Sequence, residues 1–244
     1  MPLEVVWRRD RDAGCCFADL FEPVPPICHI RELDLSSDLR RAADRFRRQF
    51  GVGRRIDFDW RALRRLRNAG YDLDILRRLP GMYLSTFETF YPSERDFMTF
   101  VPVPSLQRRI DAAVAGFGKT IGVHVRRGDN ERSIEGSPLE LFVGRMGVEI
   151  DAEPATNFFL ATDSPDVDQA LHEAFPGRIL THRKRSLDRR RREAIEDAVV
   201  DLFCLARTTR LFASFWSSFS ETASMINGIP YEVIRTGPAH RFWW

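Results

Sequence analysis

Between Pro104 and Ile234 the chain alternates short apolar runs with stretches of helical periodicity, and nothing else in it limits the fold as strongly. Pro104-Ser105 opens a helix whose Leu106, Ile110 and Val114 fall on one face; it ends near Gly116-Phe-Gly118. Residues 120–126 then read as a strand and 138–148 as a helix with Leu139, Phe142 and Met146 on one apolar face. A strand over 158–162 enters Asp163-Ser-Pro-Asp166, where a helix begins. Strands over 178–181, 210–213 and 231–234 are separated by helices over 190–206 and 220–227, the last stopped by Gly228. Strand and helix in strict alternation predict a doubly wound parallel sheet. The first part is less regular. It offers a strand over 3–7, a proline loop over 21–26 and a helix capped by Ser36 or Ser37 that runs to about Phe50. A second Arg-rich helix over 60–69 and a strand over 82–87 follow.

With 244 residues and 43% hydrophobic content the chain is long enough for a substantial core, as one α/β domain or two small ones. The 37 basic and 35 acidic residues nearly cancel to +2, and almost all the basic ones are Arg. Runs such as Arg40-Arg41, Arg64-Arg65 and Arg189 to Arg192 sit among acids and read as solvated helix faces. Nucleic acid would call for a one-sided basic surface, so none is expected as a partner. Cys15, Cys16, Cys28 and Cys204 have neither zinc spacing nor a disulfide framework. The N-terminus lacks the apolar segment of a signal peptide, and no run approaches the roughly 18 apolar residues of a membrane helix. The expectation is a soluble, cytoplasmic protein with reduced thiols. His182 reads as a loop residue, and Phe242-Trp-Trp244 as a terminal plug or an oligomer contact; the oligomeric state is not specified.

Chemistry gathers at the strand ends. Ile121-Gly-Val-His-Val-Arg-Arg-Gly-Asp129 delivers His124, Arg126, Arg127 and Asp129 to the carboxyl end of a strand, where open α/β sheets bind ligands. Two guanidiniums without a Gly-rich phosphate loop suit a diphosphate held without metal. Thr162-Asp163 ends the next strand. Ser214 to Ser220 lies between a strand and a helix, where hydroxyls and free N–H groups form an anion site, or where Ser220 simply caps the helix. Asp201 stands among Val199, Val200, Leu202 and Phe203 and needs a partner if buried. That partner is a ribose hydroxyl, a base N–H or a local backbone group.

His-Val-Arg-Arg-Gly-Asp, an Ala-Thr-Asp strand end and Val-Val-Asp-Leu…Ser-Ser-Phe-Ser together resemble the three-motif core of GDP-fucose-dependent fucosyltransferases, the α1,2, α1,6 and protein-O-fucosyltransferase superfamily. The resemblance covers residues 119–235. It implies a GT-B-like fold of two Rossmann-like domains, with Arg126 on the donor β-phosphate, His124 on the nucleotide and Asp201 on the guanosine. Ser217, Ser218 and Ser220 fall in the turn implied to hold phosphate, with Ser217 or Ser218 as the contact. Asp163 is implied to position the base or the loops around it. Arg127 is a second phosphate contact or a structural ion-pair partner.

The chemistry implied is metal-independent, inverting transfer of fucose from GDP-fucose to a glycan hydroxyl, with no cofactor beyond the donor. Arg126 would stabilise the charge that develops on the leaving diphosphate. Asp129, Glu131 and Glu135, on the loop after the motif, are the candidates for the base that takes the acceptor proton. Family members of the bacterial type begin with a strand, a Gly-rich turn and a helix that find no counterpart before Leu3. The expected organisation is therefore a reduced N-terminal acceptor-side α/β domain over 1–104 and a nucleotide-sugar-binding domain over 105–244. A non-catalytic nucleotide-sugar-binding protein is the alternative, and a nucleotide sugar other than GDP-fucose is a further one.

Overall fold

The computed structural model describes residues 3–10, 13–23, 27–49, 56–59, 65–66, 68–70, 82–85, 100–128 and 130–237. Its elements are β1 (Leu3–Arg9), β2 (Phe21–Glu22), β3 (Ile27–Asp34), α1 (Asp38–Gln49), β4 (Ile56–Asp59), β5 (Met82–Ser85) and β6 (Val101–Pro102), followed by α2 (Pro104–Val114) and β7 (Thr120–Val125). Then come α3 (Glu131–Gly136), α4 (Leu139–Ala152), β8 (Asn157–Thr162), α5 (Pro165–Ala174), β9 (Ile179–Leu180), α6 (Arg192–Leu205), β10 (Leu211–Ser214), α7 (Ser218–Asn227) and β11 (Tyr231–Ile234). The compact units follow space rather than chain order. One comprises Met1–Leu33 with Glu94–His240, and the other Asp34–Ser93 with Arg241–Trp244.

The larger unit is built on a five-stranded sheet in the order β11-β10-β7-β8-β9, parallel at every pairing. Parallel sheets need cover on both faces, and the alternation along each strand supplies it. Ile121, Val123 and Val125 of β7, Phe158 and Leu160 of β8 and Phe212 of β10 pack with Phe142 and Met146 of α4 and Val167 and Leu171 of α5. Phe159, Ala161 and Leu211 point the other way, toward Leu106 and Ile110 of α2, Val200, Phe203 and Cys204 of α6 and Ala223 of α7. Cys15, Phe17, Leu20 and Phe21 join this second core. The N-terminal segment thus packs with the C-terminal half. Cys15, Cys16 and Cys204 are free thiols, and among the described residues no helix is long and apolar enough to cross a membrane.

From β7 the chain proceeds through β8 to β9, then returns to form β10 and β11 on the opposite side of β7. The direction reverses between β7 and β10, and a crevice opens outside their carboxyl ends at such a switch point.

In the smaller unit α1 begins after Ser37, whose Oγ accepts from the Arg40 N–H at 3.3 Å, and β4 pairs in parallel with β5. Most of the expected helix over 60–69 lies outside the described residues, as do residues 86–87 of the expected strand and Phe242-Trp-Trp244. Two helices depart from expectation in the larger unit. Residues 131–136 form a short helix, α3, where a loop was expected, because Asn130 caps it by accepting from the Ser133 N–H at 3.1 Å. Helix α7 starts at Ser218 instead of Ser220, with Ser217 at the N-cap.

Candidate functional site

A cleft of about 440 Å³ opens at the carboxyl ends of the parallel strands. Its floor holds His124 and Arg126, delivered by β7. The Arg126 N–H donates to Ser214 Oγ at 2.9 Å, tying β7 to β10 across the switch point. The Arg126 guanidinium pairs with Asp163, whose other oxygen accepts the Arg127 N–H at 2.7 Å. One carboxylate therefore fixes both the side chain that lines the cleft and the turn that carries it. Gly128 makes this approach feasible: its φ is +32°, and a Cβ there would stand 2.6 Å from Asp163 Oδ2.

Arg127 turns away from this role. Its guanidinium donates to the carbonyls of Arg126 at 2.9 Å and Ser137 at 3.0 Å, and it does not line the cleft. Among the described residues its guanidinium makes no ion pair, and it braces the loop by backbone bonds.

His124 is 6% exposed. Its Nδ1 lies 2.5 Å from Ser220 Oγ, and its ring packs against Phe219 with centroids 4.9 Å apart. Burial lowers its pKa to about 4, against the opposing pull of the Asp163 charge. A neutral imidazole, fixed from behind by α7, thus faces the cleft. Ser220 is spent on that contact: it is buried, is not the N-cap, and does not line the cleft. Ser217 and Ser218 do line it, at the N-terminus of α7. The Ser217 side chain makes no capping bond to the helix. A hydroxyl and the first N–H groups of α7 therefore stand beside Arg126, a combination that binds anions.

The other wall is formed by α6. Ala194, Ala198 and Asp201 recur at helical spacing along the cleft, with Leu187 also in its lining. Small apolar side chains ending in a carboxylate make a slot for a flat ring with polar edges. Asp201 is buried and has two partners: His182 Nδ1 at 2.9 Å and Lys184 Nζ at 2.5 Å. On its far side, His182 Nε2 lies 3.2 Å from Arg109 Nη2. A guanidinium only donates, so Nε2 accepts and the proton sits on Nδ1, directed at Asp201. Arg109 is held in turn by Asp197, a carboxylate with 1% of its side chain exposed. Burial opposes ionisation of Asp197, but bonds from Arg185 and Arg109 outweigh it and hold its pKa below the usual value. His182 lies in the irregular segment after β9, as a loop residue, and from there it bridges Arg109 and Asp201. Its partners come from distant parts of the chain, so no local signal marks it.

Two of the three expected carboxylate bases stand away from this cleft. Glu131 and Glu135 lie exposed on α3 and do not line it, while Asp129 lies outside the described residues. Sequence reasoning also missed Lys184, Asn130 and Trp216 in the lining. Among the described residues no group of three His, Cys, Asp or Glu side chains converges as a metal-ligand set.

No protein-family model and no curated sequence matches the chain. Solved structures do resemble it. The α-1,6-fucosyltransferase NodZ soaked with GDP-fucose aligns over 92% of this chain and 82% of its own, at 21% identity and a TM-score of 0.56. NodZ co-crystallised with GDP aligns over 91% and 81%, at 20% identity and a TM-score of 0.56. Fucosyltransferase NodZ from Bradyrhizobium aligns over 91% and 82%, at 19% identity and a TM-score of 0.56. At such identities the likeness speaks for the fold, and the α/β architecture of this chain is GT-B-like.

Proposed function

We propose that the protein is a glycosyltransferase that moves fucose from GDP-fucose to a glycan hydroxyl by a metal-independent, inverting reaction. The observation that carries this reading is the pairing of Arg126 with the N-terminus of α7 at the floor of one cleft, in a fold like that of NodZ. In the proposed mode, Ala194, Ala198 and Leu187 flank the purine. Remaining lone pairs of Asp201 accept from base N–H groups, an arrangement that favours guanine over adenine. Arg126, Ser217 and Ser218 hold the diphosphate. As the acceptor oxygen attacks the sugar carbon, the bond to the β-phosphate oxygen breaks and negative charge accumulates on the diphosphate. Donors already oriented by Asp163, Ser214 and the helix stabilise that charge without reorganising. The acceptor proton passes to a carboxylate; Asp129 is the candidate, since Glu131 and Glu135 lie off the cleft wall.

Calorimetric titration of GDP, GDP-fucose and ADP with EDTA present tests the reading, alongside release of fucose from GDP-fucose. Binding of both guanine nucleotides but not ADP, lost in Arg126→Ala, is the expected result. A folded protein that binds neither guanine nucleotide would refute it.

A further inference from the structure

Trp216 is unlike any other described residue. It is the one non-glycine residue among them with positive φ, at 60°, a region that a large side chain enters only when its surroundings impose it. The surroundings do so here. Asn130 Nδ2 donates to the Trp216 carbonyl at 3.1 Å, Ser133 Oγ to the Phe215 carbonyl at 2.5 Å, and the Phe215 N–H to Ser137 Oγ at 2.8 Å. The turn from β10 into α7 is thereby fastened to both ends of α3. The result is an indole that lines the cleft yet is 46% exposed, with the Arg132 guanidinium 4.8 Å from its ring centroid. A strained, pinned and half-exposed aromatic does nothing for the core, and neither base nor phosphate recognition uses it.

Its place along the cleft indicates what it meets. Lys184 and Leu187 follow β9, Arg126 follows β7, and Trp216 follows β10, on the opposite side of β7 from β9. A nucleotide sugar with its base at Asp201 and its diphosphate at Arg126 therefore carries its sugar toward Trp216. The neighbouring residue, Ser217, belongs to the phosphate site, so the indole stands where the first group beyond the terminal phosphate falls. Pyranose rings present a face of C–H groups, widened in a 6-deoxy sugar by a methyl group, that stacks on aromatic rings. We propose that Trp216 is the platform for the sugar ring of the nucleotide-sugar donor, an assignment that rests on the donor reading above. The Arg132 guanidinium holds the indole in that orientation.

The test is the sugar increment, the ratio of Kd for GDP to Kd for GDP-fucose, measured by calorimetry on the full chain. In Trp216→Ala the increment falls about five- to tenfold while the Kd for GDP changes less than about twofold; Trp216→Phe keeps most of the increment. Where Trp216→Ala binds nothing because it fails to fold, Trp216→Leu, which keeps an apolar side chain without the ring, is read in the same way. An increment unchanged in the folded variants overturns the platform. Equal weakening of GDP and GDP-fucose also overturns it, by making Trp216 a support of the phosphate turn. Wild-type protein that binds neither nucleotide refutes the donor assignment and this proposal with it, an outcome distinct from binding that Trp216 does not influence.

Discussion

Replacing Glu221 by Gln removes the one acid whose environment opposes its charge most plainly. Glu221 is 8% exposed in the first turns of α7, its Oε1 has no hydrogen-bond partner, and burial alone pushes its pKa from 4.5 to about 7. A folded-state pKa above the unfolded value means that its favourable contribution is complete below pH 4.5 and is lost as pH rises through 7. Integrated from pH 5 to pH 8, those two pKa values cost the folded protein about 2.5 kcal/mol. Glutamine has the same shape and does not titrate, so its variant escapes this loss. For a chain of this size the difference corresponds to about 5–10 °C in Tm. Thermal melts of both proteins at pH 5 and pH 8 read it directly. The Tm of Glu221→Gln relative to wild type should rise by that amount between the two pH values, and taking the difference cancels every other titrating group. A gap between the proteins that is the same at both pH values refutes the argument. Glu221 lies one helical turn from Ser217 and Ser218, so its ionisation also places negative charge behind the phosphate donors. GDP affinity should accordingly decline above pH 7 in wild type and less in the variant.

Arg126→Ala should weaken GDP binding about tenfold to a hundredfold, the scale of losing a charge-assisted hydrogen-bond donor, with Tm near that of wild type; calorimetry measures the first and a melt the second. Gly128→Ala sets a methyl against Asp163 at a left-handed φ, so it should weaken GDP binding through the displaced Arg126 while Ser217 and Ser218 stay in place. His182→Ala leaves Lys184 as the one remaining side-chain partner described for Asp201 and should cost about 1–3 kcal/mol in denaturant unfolding, whereas His182→Asn, which restores an N–H, should recover part of it. His124, held at a pKa of about 4 against 6.5, contributes stability that is present above pH 6.5 and lost as pH falls through 4. His124→Asn should remove this acid-side slope, worth about 3 kcal/mol and opposite in sign to that of Glu221, in urea titrations at pH 4 and pH 7.

The parallel sheet was legible because its signals are local. Alternation along β7, β8 and β10 sends successive side chains into two cores, and the Leu106, Ile110 and Phe142, Met146 spacings mark helix faces that the structure buries. Arg126 was legible as well, since a strand end in such a sheet faces the switch point. What escaped depends on partners far away in the chain. The direction of Ser220 is set by His124, that of His182 by Arg109 and Asp201, and that of Arg127 by carbonyls on its own loop and at Ser137. No periodicity encodes those choices. Helix α3 was missed because its six residues are too few to show a period and its start depends on an Asn130 cap. Strand β3 pairs with β1 and carries a mixed polar sequence, so it lacked the apolar run by which β7, β8 and β10 were found.

The clamp formed by Asp163 bears on how a ligand would arrive. Arg126 faces the cleft already paired with Asp163, and Lys184 likewise sits on Asp201, so these two groups do not act as bare positive charge. An approaching dianion meets little long-range pull from these two, and its capture by them depends on short-range exchange of partners once it has docked. The association rate of GDP should therefore change only modestly with ionic strength. Selectivity would then rest on fit inside the cleft.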